Sequence, residues 1–221
     1  MILAEIDHIY KILGAEFTLP LSGDPKRTKE IILMRATILF ACKGYDGVSI
    51  KDLANEIGIK PASLYNHFES KRALWEAVVE QAKNLYLLYF QMLDKQLQTM
   101  ETLDDYFNAI FDEPKKMTNM FPCFAFSLIR SHRFSDELAG KVSLDIFYTY
   151  SIDFICGWYS KLVERGLVRR YDVRAVSMMT MSALLDAIDF QTLKLMGRTP
   201  PCEPTEWAAR MEELFRRLTS A

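Results

Sequence analysis

The stretch that decides the fold is residues 49–68, SIKDLANEIGIKPASLYNHF. Its first half predicts a short helix that begins at Ile50, because Ser49 and Asp52 form a capping box. In this motif the serine hydroxyl accepts a hydrogen bond from the Asp52 amide, and the carboxylate accepts one from the Ser49 amide. Gly58 then supplies the left-handed backbone conformation that closes a helix without a Cβ clash. The sequence therefore predicts a helix over residues 50–57.

A second short helix follows this glycine, because Pro61 stands where a proline in the first turn is tolerated. Leu64 and Phe68 form its buried face. Ala54 and Gly58 are both small, which lets the second helix cross close over the first in a helix-turn-helix.

The outward face of the second helix carries short or planar hydrogen-bonding groups and no carboxylate. It consists of Lys60, Ala62, Ser63, Tyr65, Asn66 and His67. Such groups suit a surface that meets base edges and phosphates. Any two-helix hairpin also needs a polar outside, so this face alone leaves both interpretations open.

A longer ordered set of residues extends on both sides of this motif. It comprises Ala36, Leu39, Phe40, Gly44, Tyr45, Ser49, Ile50, Leu53, Ala54, Gly58, Leu64, Tyr65, His67, Phe68, Lys71, Ala73 and Leu74. Over roughly residues 28 to 80 this set resembles the N-terminal domain of the TetR family of bacterial transcriptional regulators. The resemblance covers about a quarter of the chain, and the remainder is interpreted from its own pattern.

The resemblance implies contacts with two parts of duplex DNA. The residues expected to hold phosphates are Ser49, Tyr65, His67 and Lys71. Those expected to face base edges in the major groove are Lys51, Lys60, Ala62, Ser63 and Asn66. Lys71 follows the predicted helix cap Ser70, so its charge and the free amides of a helix N-terminus are able to meet one phosphate together.

The fold prediction is all-α. An N-terminal three-helix head, residues 25–72, is joined by a connecting helix to a helical ligand-binding and dimerisation body, residues 73–221. Residues 1–24 form an extension with an amphipathic helix, for which a flexible tail is the alternative. The first helix of the head is predicted over residues 28–43, and the connecting helix runs to about Gln96, about 39 Å long.

The body is predicted to contain several further helices. One spans residues 103–111, and the next is opened by Pro114 and kinked at Pro122. Later helices are capped by Ser135, Asp172 and Thr205, and they end near residues 165, 196 and 218.

Methionine and aromatic side chains crowd residues 106 to 190. Most such residues form core, yet adaptable methionines and large aromatics also line cavities for apolar ligands. The resemblance implies such a pocket for an apolar or aromatic inducer. The residues predicted to line it are Phe107, Phe111, Phe124, Phe147, Asp153, Trp158, Met178 and Met181.

The last two long helices, residues 172–196 and 205–218, carry paired apolar stripes. The stripes are Val173, Val176, Leu184, Ala187 and Ile188 on the first, and Trp207, Met211, Leu214 and Phe215 on the second. A four-helix seam between two copies buries both stripes, so we expect a homodimer. Two heads then reach successive major grooves about 34 to 36 Å apart on a palindromic operator.

Charge and composition are consistent with a DNA-binding head on a regulatory body. The 221-residue chain has a net charge of −2, but residues 24–72 hold nine Lys and Arg against six Asp and Glu. The four cysteines are widely spaced, and Cys42 and Cys156 are expected to be buried free thiols. Without an apolar run of membrane-spanning length or a basic leader, we expect a cytoplasmic protein with no membrane partner.

The sequence predicts no catalytic, cofactor or metal site. It has no Gly-rich phosphate loop, no metal-ligand spacing and no nucleophile elbow, and its three histidines are far apart in sequence. The predicted function is a transcriptional repressor released from a palindromic operator by a small-molecule inducer. The alternative is a DNA-binding protein whose body recruits a protein partner.

Overall fold

The computed structural model describes residues 25–116, 121–132 and 135–219, without the side chains of residues 25–27, 112–116, 121–123 and 147. Regular structure throughout these residues is helical, as the sequence predicts. The elements are α1 Pro25–Lys43, α2 Ile50–Ile57, α3 Pro61–Tyr65, α4 Lys71–Gln98, α5 Leu103–Lys116, α6 Phe121–His132, α7 Glu137–Val142, a π-helical segment Ser143–Tyr150, α8 Ser151–Glu164, α9 Val173–Leu195 and α10 Pro204–Thr219. The helix predicted within residues 1–24 lies outside the described residues.

The head forms around the apolar face of α1, which α2, α3 and the start of α4 cover. Its core side chains are Ile32, Ala36, Leu39, Phe40, Leu53, Ile57, Leu64, Leu74 and Trp75, all fully buried. The buried Arg35 guanidinium donates a 2.7 Å hydrogen bond to the Glu56 carbonyl. A cation in α1 therefore satisfies the C-terminal end of α2, where helix carbonyls lack partners within the helix.

Most predicted helix caps are confirmed. Ser49 and Asp52 form the complete capping box, and Ser70 accepts a hydrogen bond from the Ala73 amide at the start of α4. Asp172 accepts one from the Ala175 amide at the start of α9. Gly58, with φ of +77°, follows the last residue of α2.

Three predicted helix starts are wrong by one to three residues. α1 begins at Pro25 rather than Thr28, and α10 begins at Pro204 rather than after a Thr205 cap. Proline fits the first turn of a helix because an amide there has no intrahelical acceptor. α7 is capped by Asp136 rather than Ser135, since the Asp136 carboxylate accepts from the Ala139 amide.

Two prolines act differently from the prediction. α5 continues through Pro114 to Lys116, so this proline does not open a new helix. Pro122 is the second residue of α6 and therefore belongs to its first turn, where a proline needs no kink.

A π-helical segment replaces the regular helix that the sequence predicts between α7 and α8. Thr149 Oγ1 donates to the Leu144 carbonyl at 3.1 Å, and Ser151 Oγ donates to the Ile146 carbonyl at 2.7 Å. Both bonds span five residues, and the Ser151 amide also donates to Ile146. The hydroxyl side chains thus reinforce the wider spacing of this segment.

The body packs around the connecting helix α4, which is 28 residues long. Its buried face includes Tyr86 and Phe90, whose rings meet those of Phe126 and Phe154. Leu88 of the same helix lies outside this buried face, because it is 51% exposed. Among the described residues, no helix combines the length and apolarity needed to cross a membrane.

Candidate nucleic-acid interface

The helix-turn-helix places a short second helix on the surface of the head. α3 has only five residues, and its N-terminal neighbour Lys60 adopts an extended backbone that redirects the chain after Gly58. Leu64 is fully buried and Phe68 nearly so, which anchors α3 and the turn that follows it against the head core. The remaining residues of α3 and its turn are thereby presented outward.

The structure exposes most residues predicted to contact DNA. Ser49, Lys51, Lys60, Ala62, Tyr65 and Asn66 are exposed, whereas Ser63, His67 and Lys71 are half-buried. Tyr65 is 51% exposed although it is large and partly apolar. An aromatic side chain at the centre of a polar face suits contact with the sugar–phosphate backbone.

The predicted phosphate contact of Ser49 competes with its role as a cap. Its hydroxyl lies 2.6 Å from Asp52 Oδ2 and accepts from the Asp52 amide at 3.1 Å. Hydrogen bonds from the Ser49 hydroxyl and amide hold the pKa of Asp52 below its ordinary value. A phosphate bound to Ser49 therefore has to replace the Ser49 hydroxyl's bond to this carboxylate.

Lys71 lies at the N-terminus of α4, where helix amides without intrahelical partners attract anions. Its ammonium stands 4.0 Å from the centre of the Tyr45 ring. This cation–π contact holds the charge beside the helix terminus. The resemblance predicted Lys71 as a phosphate contact but did not predict that Tyr45 lies beside it.

Two other basic side chains near this face differ in their availability. Lys29 of α1 is exposed, and its ammonium lies 5.3 Å from the Phe68 ring centre, beside the end of the helix-turn-helix. Arg72 instead pairs with Glu76 at 2.9 Å and with Asp136 of the body. Lys29 was missed by the prediction because its proximity to Phe68 requires the packing of α1 on the motif.

The head meets the body at a cluster around Trp75. The indole ring contacts the rings of Phe40, Tyr45 and His132, with centres 5.0 to 5.3 Å apart. His132 is the last residue of α6, and its Nε2 accepts a 3.2 Å hydrogen bond from the Tyr45 amide. A cavity of about 190 Å³ lies beside this cluster.

Asp136 joins the same junction through its carboxylate. Burial alone raises the pKa of Asp136, but hydrogen bonds from the Ala139 amide and Arg72 outweigh burial and hold the pKa below its ordinary value. The ionised carboxylate therefore links α7 to the first turn of α4.

The residues predicted to line a ligand pocket are dispersed. Phe107, Phe111, Phe124 and Met181 are buried, Met178 is 48% exposed, and the Phe147 side chain lies outside the described part. The Phe107 and Phe111 rings lie in line with Phe215 of α10. A cavity of about 270 Å³ at the far end of α4 includes Trp158 in its lining. Neither this cavity nor the one beside Trp75 is lined by any other residue of the predicted set.

The placement predicted for Asp153 is wrong. Its carboxylate is exposed and pairs with Arg174 at 3.4 Å, so it does not face the interior of the body. Arg130 of α6 is instead a charged group that is largely withdrawn from solvent, with its side chain 17% exposed, and it pairs with Asp189 at 3.1 Å and Asp186 at 3.7 Å. These pairs connect α6 to α9.

The outer faces of α9 and α10 expose apolar side chains. They include Met178, Met179, Leu214 and Leu218, each 40% to 48% exposed. Part of the predicted dimer stripe packs inside the chain itself, because Leu184, Ala187 and Phe215 are buried in its core. The apolar surface of these two helices that stays exposed is therefore the outer face rather than the whole stripe.

Comparison with known proteins agrees with the head geometry. Residues 32–78 match the family model described as bacterial regulatory proteins, tetR family. Over 96 residues the chain is 35% identical to the biofilm operon icaADBC HTH-type negative transcriptional regulator IcaR of Staphylococcus aureus. This match covers 42% of the chain and 51% of the relative, so the chain spans about half the length of the curated relatives it matches.

Solved structures share the fold of both head and body. A TetR transcriptional regulator from Chloroflexus aurantiacus has a TM-score of 0.67 and 19% identity, covering 88% of this chain and 97% of that one. A transcriptional regulator from Saccharomonospora viridis in complex with choline has a TM-score of 0.70 and 15% identity, covering 89% of this chain and 99% of that one. At these identities the similarity shows the fold alone.

Proposed function

We propose that the chain is a member of the tetR family of bacterial regulatory proteins, whose model matches residues 32–78, and that it represses transcription from a palindromic operator. A small-molecule inducer releases it from the DNA. The observation that carries the proposal is the exposed face of α3, with Tyr65 and Asn66 outward and Leu64 buried beneath. The Staphylococcus aureus relative is named a negative transcriptional regulator, which supports repression rather than activation.

The proposed contacts divide between phosphates and bases as predicted from the resemblance. Lys71 holds a phosphate at the N-terminus of α4, and Ser49, Tyr65 and His67 hold the backbone beside it. Lys60, Ala62, Ser63 and Asn66 approach base edges in the major groove, as does Lys51 from α2. Phosphate contacts fix the register and base contacts supply the sequence preference.

The active species in this proposal is a homodimer formed by the outer faces of α9 and α10. The four exposed apolar side chains on these faces support it. The protein acts on DNA in the cytoplasm, and the proposal assigns it neither a catalytic activity nor a membrane partner.

Selection of bound sequences from a random duplex pool tests the DNA-binding part of the proposal. We expect an inverted repeat whose half-sites are centred about 34 to 36 Å apart. Footprinting of the selected duplex then checks the spacing. Recovery of no preferred sequence, or of a single unrepeated site, contradicts the proposal.

The inducer acts in this proposal by favouring a dimer whose head spacing misfits the operator. Buried aromatic residues of α5 and α6, including Phe107 and Phe124, border the expected binding region. Inducer and operator must then weaken each other's affinity by the same factor, because linkage is reciprocal. Calorimetric titration of a screened ligand with and without operator measures both factors, and independent binding contradicts this part.

A second candidate function keeps the DNA-binding head but gives the body a protein partner. The exposed side chains of Met92 and Leu144, 64% and 61% accessible, favour it because they lie on α4 and the π-helical segment, outside the proposed dimer face. Replacement of either residue by Glu separates the candidates. Under this second function, repression in cells is lost while DNA binding by the purified protein is unchanged.

A further inference from the structure

The His132 ring is fixed at both nitrogens between head and body. Its Nε2 lies 3.2 Å from the Tyr45 amide nitrogen. Its Nδ1 lies 3.0 Å from the Leu128 carbonyl oxygen and 3.0 Å from Ser131 Oγ, which itself donates to that carbonyl. A backbone amide only donates, so Nε2 is the unprotonated acceptor and the ring hydrogen resides on Nδ1. In this tautomer the neutral ring satisfies both neighbours at once.

Tyr45 occupies the turn between α1 and α2, and its ring makes a cation–π contact with the Lys71 ammonium. The turn starts at Gly44, whose φ of +74° favours glycine. The Tyr45 ring lies 5.3 Å from Trp75 and 5.8 Å from Phe40, with Lys71 4.0 Å away. His132 is thus linked to Lys71 through Tyr45, whose amide donates to His132 and whose ring contacts the Lys71 ammonium.

We propose that His132 is a positioning residue for DNA binding, which orders the phosphate anchor Lys71 by holding the Tyr45 turn. This inference rests on the proposed function. A lysine that is already held beside the helix terminus loses less conformational freedom when a phosphate arrives. Without the acceptor on His132, the turn and the ammonium above it move more freely, and affinity for all DNA sequences falls.

Protonation of His132 removes the same acceptor, because both ring nitrogens of an imidazolium are donors. The other charged groups at this junction are Lys43 and Asp46 of the head, Lys71 and Arg72 of α4, and Asp136 of the body. The Asp136 carboxylate is already paired with Arg72. The positioning contribution is therefore present when the ring is neutral and is lost when the ring is protonated.

Two substitutions distinguish the effect of the hydrogen-bond acceptor from the effect of the imidazole ring itself. In His132→Gln the amide oxygen accepts the Tyr45 hydrogen bond but does not titrate, whereas His132→Leu has no acceptor. Binding to a labelled random-sequence duplex, measured by fluorescence anisotropy, reports the phosphate contacts without a known operator. At about pH 8 we expect wild-type affinity for His132→Gln and about two- to tenfold weaker binding for His132→Leu.

The pH profile distinguishes positioning from a merely structural role. The ratio of wild-type to His132→Gln affinity is expected to be lower in acid than at about pH 8, because the histidine ring can take up a proton and the glutamine amide does not. His67 lies on the DNA face but is common to both proteins, so its contribution cancels in the ratio. A constant ratio overturns the proposal, and so does wild-type affinity of a folded His132→Leu at the higher pH.

A double-mutant cycle with Lys71→Ala tests the route through Lys71. Once Lys71 is absent, His132→Leu is expected to cause no further loss of affinity. A full additional loss overturns the route. If His132→Leu fails to fold by circular dichroism, the comparison with His132→Gln still decides the question. If the wild-type protein itself does not bind the duplex, the proposed function has failed rather than this inference.

Discussion

Lys71 and Asn66 are close in sequence but stand in different surroundings, and this separates their expected roles. Lys71 lies at the N-terminus of a 28-residue helix with its ammonium over an aromatic ring. Asn66 is exposed in the turn that follows α3, and its amide group carries both donors and an acceptor. A point charge recognises phosphate, whereas a planar amide discriminates between bases.

Lys71→Ala is expected to weaken binding to operator and unrelated DNA alike and to flatten the salt dependence by about one unit of slope. Asn66→Ala is expected to reduce discrimination by about 1 to 3 kcal/mol at the contacted base pair, with little change in slope. Gel shifts over a salt series on matched and mismatched duplexes measure both. Equal losses of discrimination in the two variants contradict this division.

The contribution of Asp136 to the stability of the folded protein is expected to depend on pH. Because the pKa of Asp136 is lowered in the folded protein, its contribution to stability is present above the unfolded carboxyl value of about 4 and is lost as the pH falls below it. Asp136→Asn keeps a side chain that caps helices but removes the charge. We expect lower stability than wild type at neutral pH, with the difference closing in acid.

Urea unfolding at neutral pH and at about pH 3 measures this difference. Asp145→Asn is the matched control, since it removes an exposed carboxylate on the π-helical segment. A stability difference between wild type and Asp136→Asn that persists unchanged in acid contradicts the assigned role.

Residue-level predictions succeeded where the cause was local. The Ser49–Asp52 capping box involves residues three apart and was readable from the sequence. The bond between Tyr45 and His132 joins residues 87 apart, so no local pattern indicates it. Asp153 was placed wrongly for a related reason, because its partner Arg174 lies on another helix.

At the scale of helices, glycine marks ends reliably only where the backbone needs it. Gly58 ends α2 with φ of +77°. Gly157 lies inside α8, and a Cβ built there meets nothing within 4 Å. The same substitution is therefore expected to have opposite effects at the two positions.

Gly58→Ala is expected to destabilise the protein by about 1 to 2 kcal/mol, because a left-handed conformation is costly for any residue with a Cβ. Gly157→Ala is expected to stabilise it by about 0.5 to 1 kcal/mol, since alanine loses less backbone entropy in a helix. Chemical denaturation of both variants provides the measurement. Destabilisation by Gly157→Ala shows that its surroundings are not open.

The π-helical segment marks the limit of prediction at this scale. Helical periodicity over residues 135–165 predicts a helix but does not distinguish four-residue from five-residue hydrogen bonds. Ser151 lies at the end of the segment, and its hydroxyl is 3.1 Å from the buried Tyr86 hydroxyl of α4. Packing against α4 thus accompanies the wider spacing, and this packing is known only from the fold.

At the scale of the whole molecule, α6 connects the parts that the function requires to communicate. Arg130 pairs with Asp186 and Asp189 of α9, the helix of the proposed dimer face. Two residues later, His132 holds Tyr45 of the head. A single helix therefore contacts both α9 and the head, and the sequence order alone does not reveal this arrangement.

The dimer itself has a strong expected effect on operator affinity. One head contacts a single half-site, and joining two heads makes the second contact intramolecular at a high effective concentration. Leu214→Glu places a charge on the outer face of α10, where the native side chain is 41% exposed. We expect a monomer in light scattering that binds a full operator about a hundredfold or more weaker, with unchanged affinity for an isolated half-site.

Leu144→Glu is the matched control, because Leu144 is more exposed but lies on the π-helical segment rather than on α9 or α10. This variant is expected to remain dimeric and to keep full operator affinity. The head is unchanged in both proteins. Weaker binding of Leu214→Glu to an isolated half-site therefore indicates misfolding rather than loss of the dimer. A dimeric Leu214→Glu with full operator affinity rules out the outer face of α10 as the seam, and the spacing between heads must then be set by another surface of the body.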